Sequence, residues 1–227
     1  MCGIVGILNQ GQEALVETAL DLISHRGPDD KQFIGVNGTI LGHTRLAIQD
    51  MSDLGRQPMR SACGRFIIVF NGEIYNTSEL LSNAFGTQVM LKGNSDTELL
   101  LEFLAYNIKN KVPLISVLKK LNGIFAFVLY DCKLQNSWMV RDHMGIKPLY
   151  YKVSHGGVRF CSELAGLRVM NSGTDKVVAS DLSRYLCFLW NPGETELIDG
   201  VKSVPPGGFI RVSKNGNLEM QKWYNLP

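Results

Sequence analysis

The stretch Met1-Cys2-Gly3-Ile4-Val5-Gly6-Ile7-Leu8-Asn9 places a cysteine directly behind the start methionine and follows it with a short apolar run broken by glycines. The run predicts a buried strand beginning at residue 3, with glycine at its crowded points. Methionine is commonly trimmed when the second residue is small, and cysteine is small enough. Trimming would leave Cys2 with a free α-amino group beside its thiol, so that one residue would carry both a nucleophile and a general base. An unperturbed α-amine titrates at about 8 and a thiol at about 8.5. Roughly a tenth or more of the amine is then unprotonated at neutral pH and can take the thiol proton, directly or through one water. The bland alternative is that cysteine at position two is an accident of sequence.

The rest of the chain narrows the classes. It has 227 residues, 45% hydrophobic and 19% charged, as expected of a globular protein able to bury a substantial core. The formal net charge is +2, with Lys and Arg scattered and no basic run longer than Lys119-Lys120. That composition offers no electrostatic footprint for nucleic acid or an anionic membrane. The five cysteines, Cys2, Cys63, Cys132, Cys161 and Cys187, are widely spaced with no C-x-x-C. A disulfide framework and a zinc site are both disfavoured, and a reducing, cytoplasmic compartment is expected. The apolar start is too short for a signal peptide, and no run of about 18 apolar residues predicts a membrane helix.

Downstream of the first strand, 12–24 predicts an amphipathic helix with Leu15, Ala19, Leu22 and Ile23 on one face. His25-Arg26-Gly27-Pro28-Asp29-Asp30 then forces a turn, either catalytic or simply polar with Arg26 bonding local carbonyls. Residues 32–36 and 39–48 predict a hairpin around Asn37-Gly38, a type I′ signal. Arg45 breaks the second arm; it either faces solvent or enters a cleft, where its fork can grip a carboxylate. The apolar run 65–70 predicts a strand buried on both faces, ending in Asn71-Gly72-Glu73-Ile74-Tyr75-Asn76. Asn71 and the Gly72 N–H could form an oxyanion hole, or an ordinary Asn-Gly turn. Residues 77–85 predict a helix. Ser95 and Glu98 are spaced as a capping box for another, whose first turn holds Asp96, suited to the helix terminus or to a ligand ammonium. Further on, 113–121 predicts a short helix, 123–130 a second buried strand, and 136–141 its hairpin partner. A loop from Arg141 feeds a strand at Tyr150; 158–162 predicts a strand, 163–169 and 179–189 helices about a connector at 170–177, and 201–212 a strand turned back at Asn215-Gly216. Tight turns between neighbouring strands, with helices in separate blocks, predict an α+β fold with largely antiparallel sheets.

Several of these motifs occur in the same order in one family. The set includes Met1-Cys2-Gly3-Ile4-Val5-Gly6, His25-Arg26-Gly27-Pro28-Asp29, Arg45-Leu46-Ala47-Ile48, Phe70-Asn71-Gly72-Glu73-Ile74-Tyr75-Asn76 and Ser95-Asp96-Thr97-Glu98. It continues with Gly123-Ile124-Phe125-Ala126-Phe127, Arg141-Asp142 with Gly145-Ile146-Lys147-Pro148-Leu149-Tyr150-Tyr151, Ser162-Glu163 and Pro205-Pro206-Gly207. In this the chain resembles, over essentially its whole length, the glutaminase domain of asparagine synthetases. These are class II glutamine amidotransferases within the N-terminal-nucleophile hydrolases. Sister glutaminases of purine and glucosamine synthesis share the Cys2 start and an Asn-Gly pair but lack the other signatures.

The resemblance implies a four-layer αββα sandwich formed by 1–227 as one glutamine amidotransferase domain. It implies that Cys2 attacks the side-chain amide of glutamine and that Asn71 and Gly72 hold the oxyanion. Arg45 would take the substrate α-carboxylate, Glu73 and Asp96 its α-ammonium, and Leu46 and Ile48 would complete the substrate-binding set. Arg26 would brace the site. Gln49 departs from the small apolar residue expected there. No metal and no cofactor are implied for this chain. ATP and magnesium would belong to a synthetase domain whose Ser-Gly-Gly-x-Asp-Ser loop is absent from the sequence. The tail resembles the junction between the two domains, so the expected partners are glutamine and a synthetase domain in cis or as a separate subunit, with a homodimer also allowed. Two other readings stand beside this one: a non-catalytic module that docks or senses glutamine, and an amidase for a different amide.

Overall fold

The computed structural model describes residues 1–84, 91–154, 157–171, 176–193 and 195–225. The opening apolar run forms β1 (Gly3–Leu8), every residue of which is buried. It lies inside a six-stranded antiparallel sheet with β2 (Asp30–Val36), β3 (Thr39–Arg45), β8 (Tyr150–Ser154), β9 (Gly157–Cys161) and β10 (Val201–Ser203), in the order β10-β8-β9-β1-β3-β2. A second six-stranded antiparallel sheet holds β4 (Met59–Arg60), β5 (Phe66–Ile74), β6 (Gly123–Asp131), β7 (Asn136–Arg141), β11 (Gly208–Val212) and β12 (Leu218–Lys222), in the order β12-β11-β7-β6-β5-β4.

Successive side chains of a strand point to opposite faces, and β1 and β5, both interior strands of their sheets, are apolar on both over most of their length. Ile4 and Leu8 of β1, Leu41 of β3, and Ile67 and Val69 of β5 meet between the sheets. On the other face of β1, Val5 and Ile7 pack against Val16, Ala19 and Leu20 of α1 (Glu13–Leu22) and Leu167 of α5 (Leu164–Val169). On the other face of β5, Phe66, Ile68 and Phe70 pack against Leu80 of α2 (Thr77–Ala84), Leu99, Leu100 and Phe103 of α3 (Asp96–Lys109) and Val117 of α4 (Leu114–Leu118). Helices, sheet, sheet, helices: the four-layer α+β sandwich is present. Each fully buried side chain of this kind contributes about 1.5–3 kcal/mol, so three clustered cores hold the central strands firmly. A sixth helix, α6 (Ala179–Phe188), precedes β10. Among the described residues no helix is long and apolar enough to cross a membrane.

Five local expectations are corrected. The strand expected over 201–212 is two strands, β10 and β11, one in each sheet, and Leu22, expected on the buried face of α1, is 45% exposed while Val16 and Leu20 are buried. Asn71-Gly72 is not a turn: β5 continues through it to Ile74, paired residue by residue with Gly123–Ala126. The arm predicted to reach residue 48 ends at Arg45, where the chain leaves the sheet. The capping box is open: Ser95 Oγ accepts from Thr97 N, while Glu98 turns back to accept from Lys92 N and Gly93 N at 2.9 and 2.8 Å. The Asn37-Gly38 hairpin forms with both residues at positive φ, 49° and 75°, as a type I′ turn requires. Residue 85, the predicted end of α2, and part of the 170–177 connector lie outside the described residues.

Candidate active site

The pleat and the register bring three polar side chains to one end of the sandwich. Gly3 pairs with Thr44 and Ile4 with His43, so Cys2, one step outward, comes opposite Arg45. Cys2 shares the inward parity of Ile4, Arg45 that of Leu41, and Asn71 that of Ile67 and Val69. All three therefore come from inner faces at an edge where the apolar filling stops. His43, of the same parity, spans the gap: its Nε2 lies 3.2 Å from the Phe70 carbonyl oxygen of the facing sheet. The resulting cleft, of about 170 Å³, is lined by Cys2, Arg45, Leu46, Ile48, Asn71, Gly72, Glu73 and Asp96 among others. Every residue expected to hold substrate or oxyanion thus lies on a single cleft.

Cys2 Sγ accepts from Leu46 N at 3.5 Å and lies 3.8 Å from the Leu46 carbonyl oxygen. Burial pushes its thiol up; the Leu46 N–H, the positive chain terminus and Arg45 pull it down, while Asp96 adds to the rise. Met1 precedes Cys2 and also lines the cleft, so the Cys2 nitrogen is here a peptide nitrogen. Lys147 Nζ donates to Met1 Sδ at 3.3 Å. Arg45 turns into the cleft rather than to solvent, with 7% of its surface exposed and Nη2 donating to the Asp50 carbonyl. Asn71 is buried, and its Nδ2 has no hydrogen-bond partner among the described residues. At Gly72 a Cβ would overlap the Ile124 carbonyl oxygen of the neighbouring strand, so glycine alone fits there. Asp96 Oδ2 accepts from Ile74 N at 3.0 Å, and burial pushes its carboxyl up against the pull of the Ile74 and Thr97 N–H groups. Glu73 is exposed at the rim and accepts from Gln49 Nε2 at 3.0 Å. Ile48, also on the lining, is 74% exposed.

Arg26 lies outside the cleft but reaches its nucleophile. Its Nε donates to the Cys2 carbonyl at 2.9 Å and its Nη1 to Glu163 Oε1 at 2.8 Å. The local-turn alternative for Arg26 is therefore not what forms. Glu163, whose carboxyl is pushed up by partial burial but held below its ordinary range by Arg26 and His25, ties this corner to the start of α5.

Three supporting side chains were not picked out individually. Gln57 is buried and clamps the site from behind, with Oε1 accepting from Phe70 N at 2.6 Å and Nε2 donating to Thr97 Oγ1 at 3.2 Å. Nothing in its surrounding sequence signals this. Asp142 accepts from the backbone N–H groups of Phe125, Met144, Ile146 and Lys147 at 2.9–3.1 Å. It thereby fixes the loop that brings Lys147 to the cleft; the Arg141-Asp142 pair before a glycine turn was its only signal. His43 is fully buried, and burial pushes its pKa down to about 3, so it stays neutral. Among the described residues no group of three or more His, Cys, Asp or Glu side chains is placed to hold a metal ion.

Comparison with known proteins places the chain in a family. The chain is 31% identical over 231 residues to asparagine synthetase [glutamine-hydrolyzing] 1 of Bacillus subtilis, covering 99% of this chain and 35% of that protein. It is 31% identical over 243 residues to asparagine synthetase [glutamine-hydrolyzing] 3 of the same organism, covering 100% of this chain and 37% of that one. The chain thus spans about a third of the length of these curated relatives. The fold matches that of glutamine phosphoribosylpyrophosphate amidotransferase from B. subtilis with a TM-score of 0.69 at 17% identity, over 98% of this chain and 49% of that one. Residues 1–224 match the family model described as glutamine amidotransferase domain, and the chain belongs to that family, the class II glutamine amidotransferases.

Proposed function

We propose that this chain hydrolyses L-glutamine to glutamate and ammonia at Cys2, once Met1 has been removed. The observation that carries this is the convergence on one cleft of Cys2 just before β1, Arg45 at the end of β3 and Asn71 in β5, with Asn71 Nδ2 buried and unpartnered among the described residues. Cys2 Sγ attacks the side-chain amide carbon of glutamine, and the thiol proton passes to the freed Cys2 α-amine. Negative charge on the amide oxygen is met by Asn71 Nδ2 and the Gly72 N–H; one such donor is worth about 3–4 kcal/mol of barrier. The α-amine returns the proton to the departing nitrogen, ammonia leaves, and a thioester remains. Water attacks the thioester and releases glutamate and the thiol. Arg45 takes the α-carboxylate, and Glu73 and Asp96 the α-ammonium, which selects a free amino acid. Arg26, bonded to the Cys2 carbonyl, holds the nucleophile in place.

The ammonia supplies an ATP-dependent amidation of the kind the names of the relatives indicate. ATP and magnesium belong to that synthetase region, in cis or as a separate subunit. The share of the relatives' length that this chain covers supports this division.

The test is an intact-mass measurement and a glutamate-release assay on the same purified sample. A mass lacking methionine, with glutamate formed and the activity lost in Cys2→Ala, supports the proposal. A trimmed, folded protein that binds glutamine and forms no glutamate, alone or with its synthetase region, overturns it in favour of the docking or sensing reading.

A further inference from the structure

The rim of the cleft holds a contact that none of the roles above uses. Gln49 follows the site-bearing end of β3, and its Nε2 donates to Glu73 Oε1 at 3.0 Å. Behind this pair lies a second cavity of about 460 Å³. The two cavities share Gln49, Glu73, Ser95 and Asp96 as a common wall. Ser95 and Asp96 are fixed in the first turn of α3, by the Thr97 N–H and the Ile74 N–H respectively. Gln49 and Glu73 are both exposed and meet only through their side chains. One hydrogen bond thus completes a wall that is otherwise anchored to a helix.

We propose that Gln49 is a positioning residue that determines specificity at the α-nitrogen of the substrate. This rests on the glutaminase reading of the site. A carboxamide donor on Oε1 fixes the Glu73 carboxylate and leaves its other oxygen for the substrate ammonium, with less side-chain freedom lost on binding. The same bond closes the way from the α-nitrogen subsite into the second cavity. A substituent on that nitrogen meets the Gln49–Glu73 pair while the wall is intact; when it opens, about 460 Å³ lies beyond. An apolar residue at 49 could do neither.

The experiment compares Met1-trimmed wild type with Gln49→Met, which keeps the length and loses the donor, and Gln49→Glu, which places like charge beside Glu73. Both positions are exposed, and circular dichroism checks that each variant folds. Glutamine and Nα-acetyl-glutamine are the two substrates, with glutamate or acetylglutamate release as the readout. For Gln49→Met, KM for glutamine should rise about three- to tenfold with kcat little changed, the mark of lost uniform binding. The preference for glutamine over the acetylated substrate, as a ratio of kcat/KM, should fall by about fivefold or more. Gln49→Glu should raise KM at least as far. A wild type that releases no glutamate, alone or with its synthetase region, removes the glutaminase reading and this one with it. An active wild type beside variants of unaltered KM and preference, or of reduced kcat alone, overturns the role of Gln49 and leaves the glutaminase standing.

Discussion

A buried amide nitrogen without a partner, as at Asn71 Nδ2, costs about 1–3 kcal/mol of stability. A group kept at that cost fits one whose acceptor arrives with the ligand. Replacing Asn71 by Ala should therefore leave the urea midpoint unchanged or slightly raised while kcat for glutamine falls roughly 10²–10³-fold. A variant of lower stability with near-normal kcat would return Asn71 to the scaffold. Arg45 separates binding from chemistry in the other direction. Among the described residues its guanidinium donates through Nη2, to the Asp50 carbonyl. A charge-assisted contact to an α-carboxylate is about twice as strong as a neutral one. Arg45→Ala should raise KM about 10–100-fold with a smaller change in kcat; an amidase indifferent to the α-carboxylate would barely notice the loss. Arg45→Lys keeps the charge but not the planar fork, so it should recover only part of the KM.

At the scale of elements, what was legible in sequence was whatever depends on neighbours in the chain. Asn37-Gly38 closed its hairpin as read, because both residues tolerate positive φ and the strands it joins lie side by side. The two apolar runs became strands buried on both faces, because they are short, rich in β-branched and aromatic residues and bounded by glycine or polar turns, which favours strand over a buried helix. Asn71-Gly72 misled local reasoning: turn chemistry yielded to nine consecutive pairs between β5 and β6, Phe66↔Asp131 to Ile74↔Gly123. Pairing with a strand about fifty residues away has no local signature. The candidate site showed the same division. Cys2, Arg45, Asn71 and Asp96 were visible in sequence as polar groups with a bland reading beside each, and the family resemblance assigned their roles. Gln57 and Asp142 act on backbone N–H groups brought near only by folding. Two substitutions test the β5–β6 seam. In Gly72→Ala the added methyl meets a backbone oxygen of β6, which cannot swing away. The strands must part, and a loss of about 1–3 kcal/mol in urea unfolding is expected together with loss of glutamate release. Asp142→Ala leaves four N–H groups without their acceptor, among them that of Phe125 in β6. A loss of about 2–4 kcal/mol is expected, and stability indistinguishable from wild type would show that the loop holds itself.

Across the whole molecule the two sheets depend on the filling between them, and among the described residues that filling holds a titratable base. His43 faces the other sheet, is fully buried and has Nδ1 unpartnered. Burial lowers its pKa to about 3, with the nearby Arg45 charge acting the same way and the Phe70 carbonyl opposing. An unfolded histidine titrates at about 6.5. Between these values the unfolded chain binds the proton and the folded chain does not, so stability rises with pH and is lost as pH falls from 6.5 towards 3. His143, whose pKa burial also lowers, acts in the same sense. Asp96, whose carboxyl is raised, opposes it slightly at the acid end, while Glu163 and Asp131, both held low, add acid lability only near the carboxylate range. Between pH 6.5 and 5 the histidines therefore dominate. Urea unfolding of wild type over that interval should show a loss of about 1–2 kcal/mol. His43→Leu, which places an apolar group among apolar neighbours, should flatten most of the slope whatever it does to absolute stability. His143→Gln should leave the larger part in place. A wild-type profile flat from 6.5 to 5, or a His43→Leu slope equal to that of wild type, would mean that the sheets can part enough to hydrate His43 without unfolding. The inner ends of β1 and β5, and the distance between Cys2 and Asn71 with them, would then be mobile in the resting protein rather than set by the sandwich.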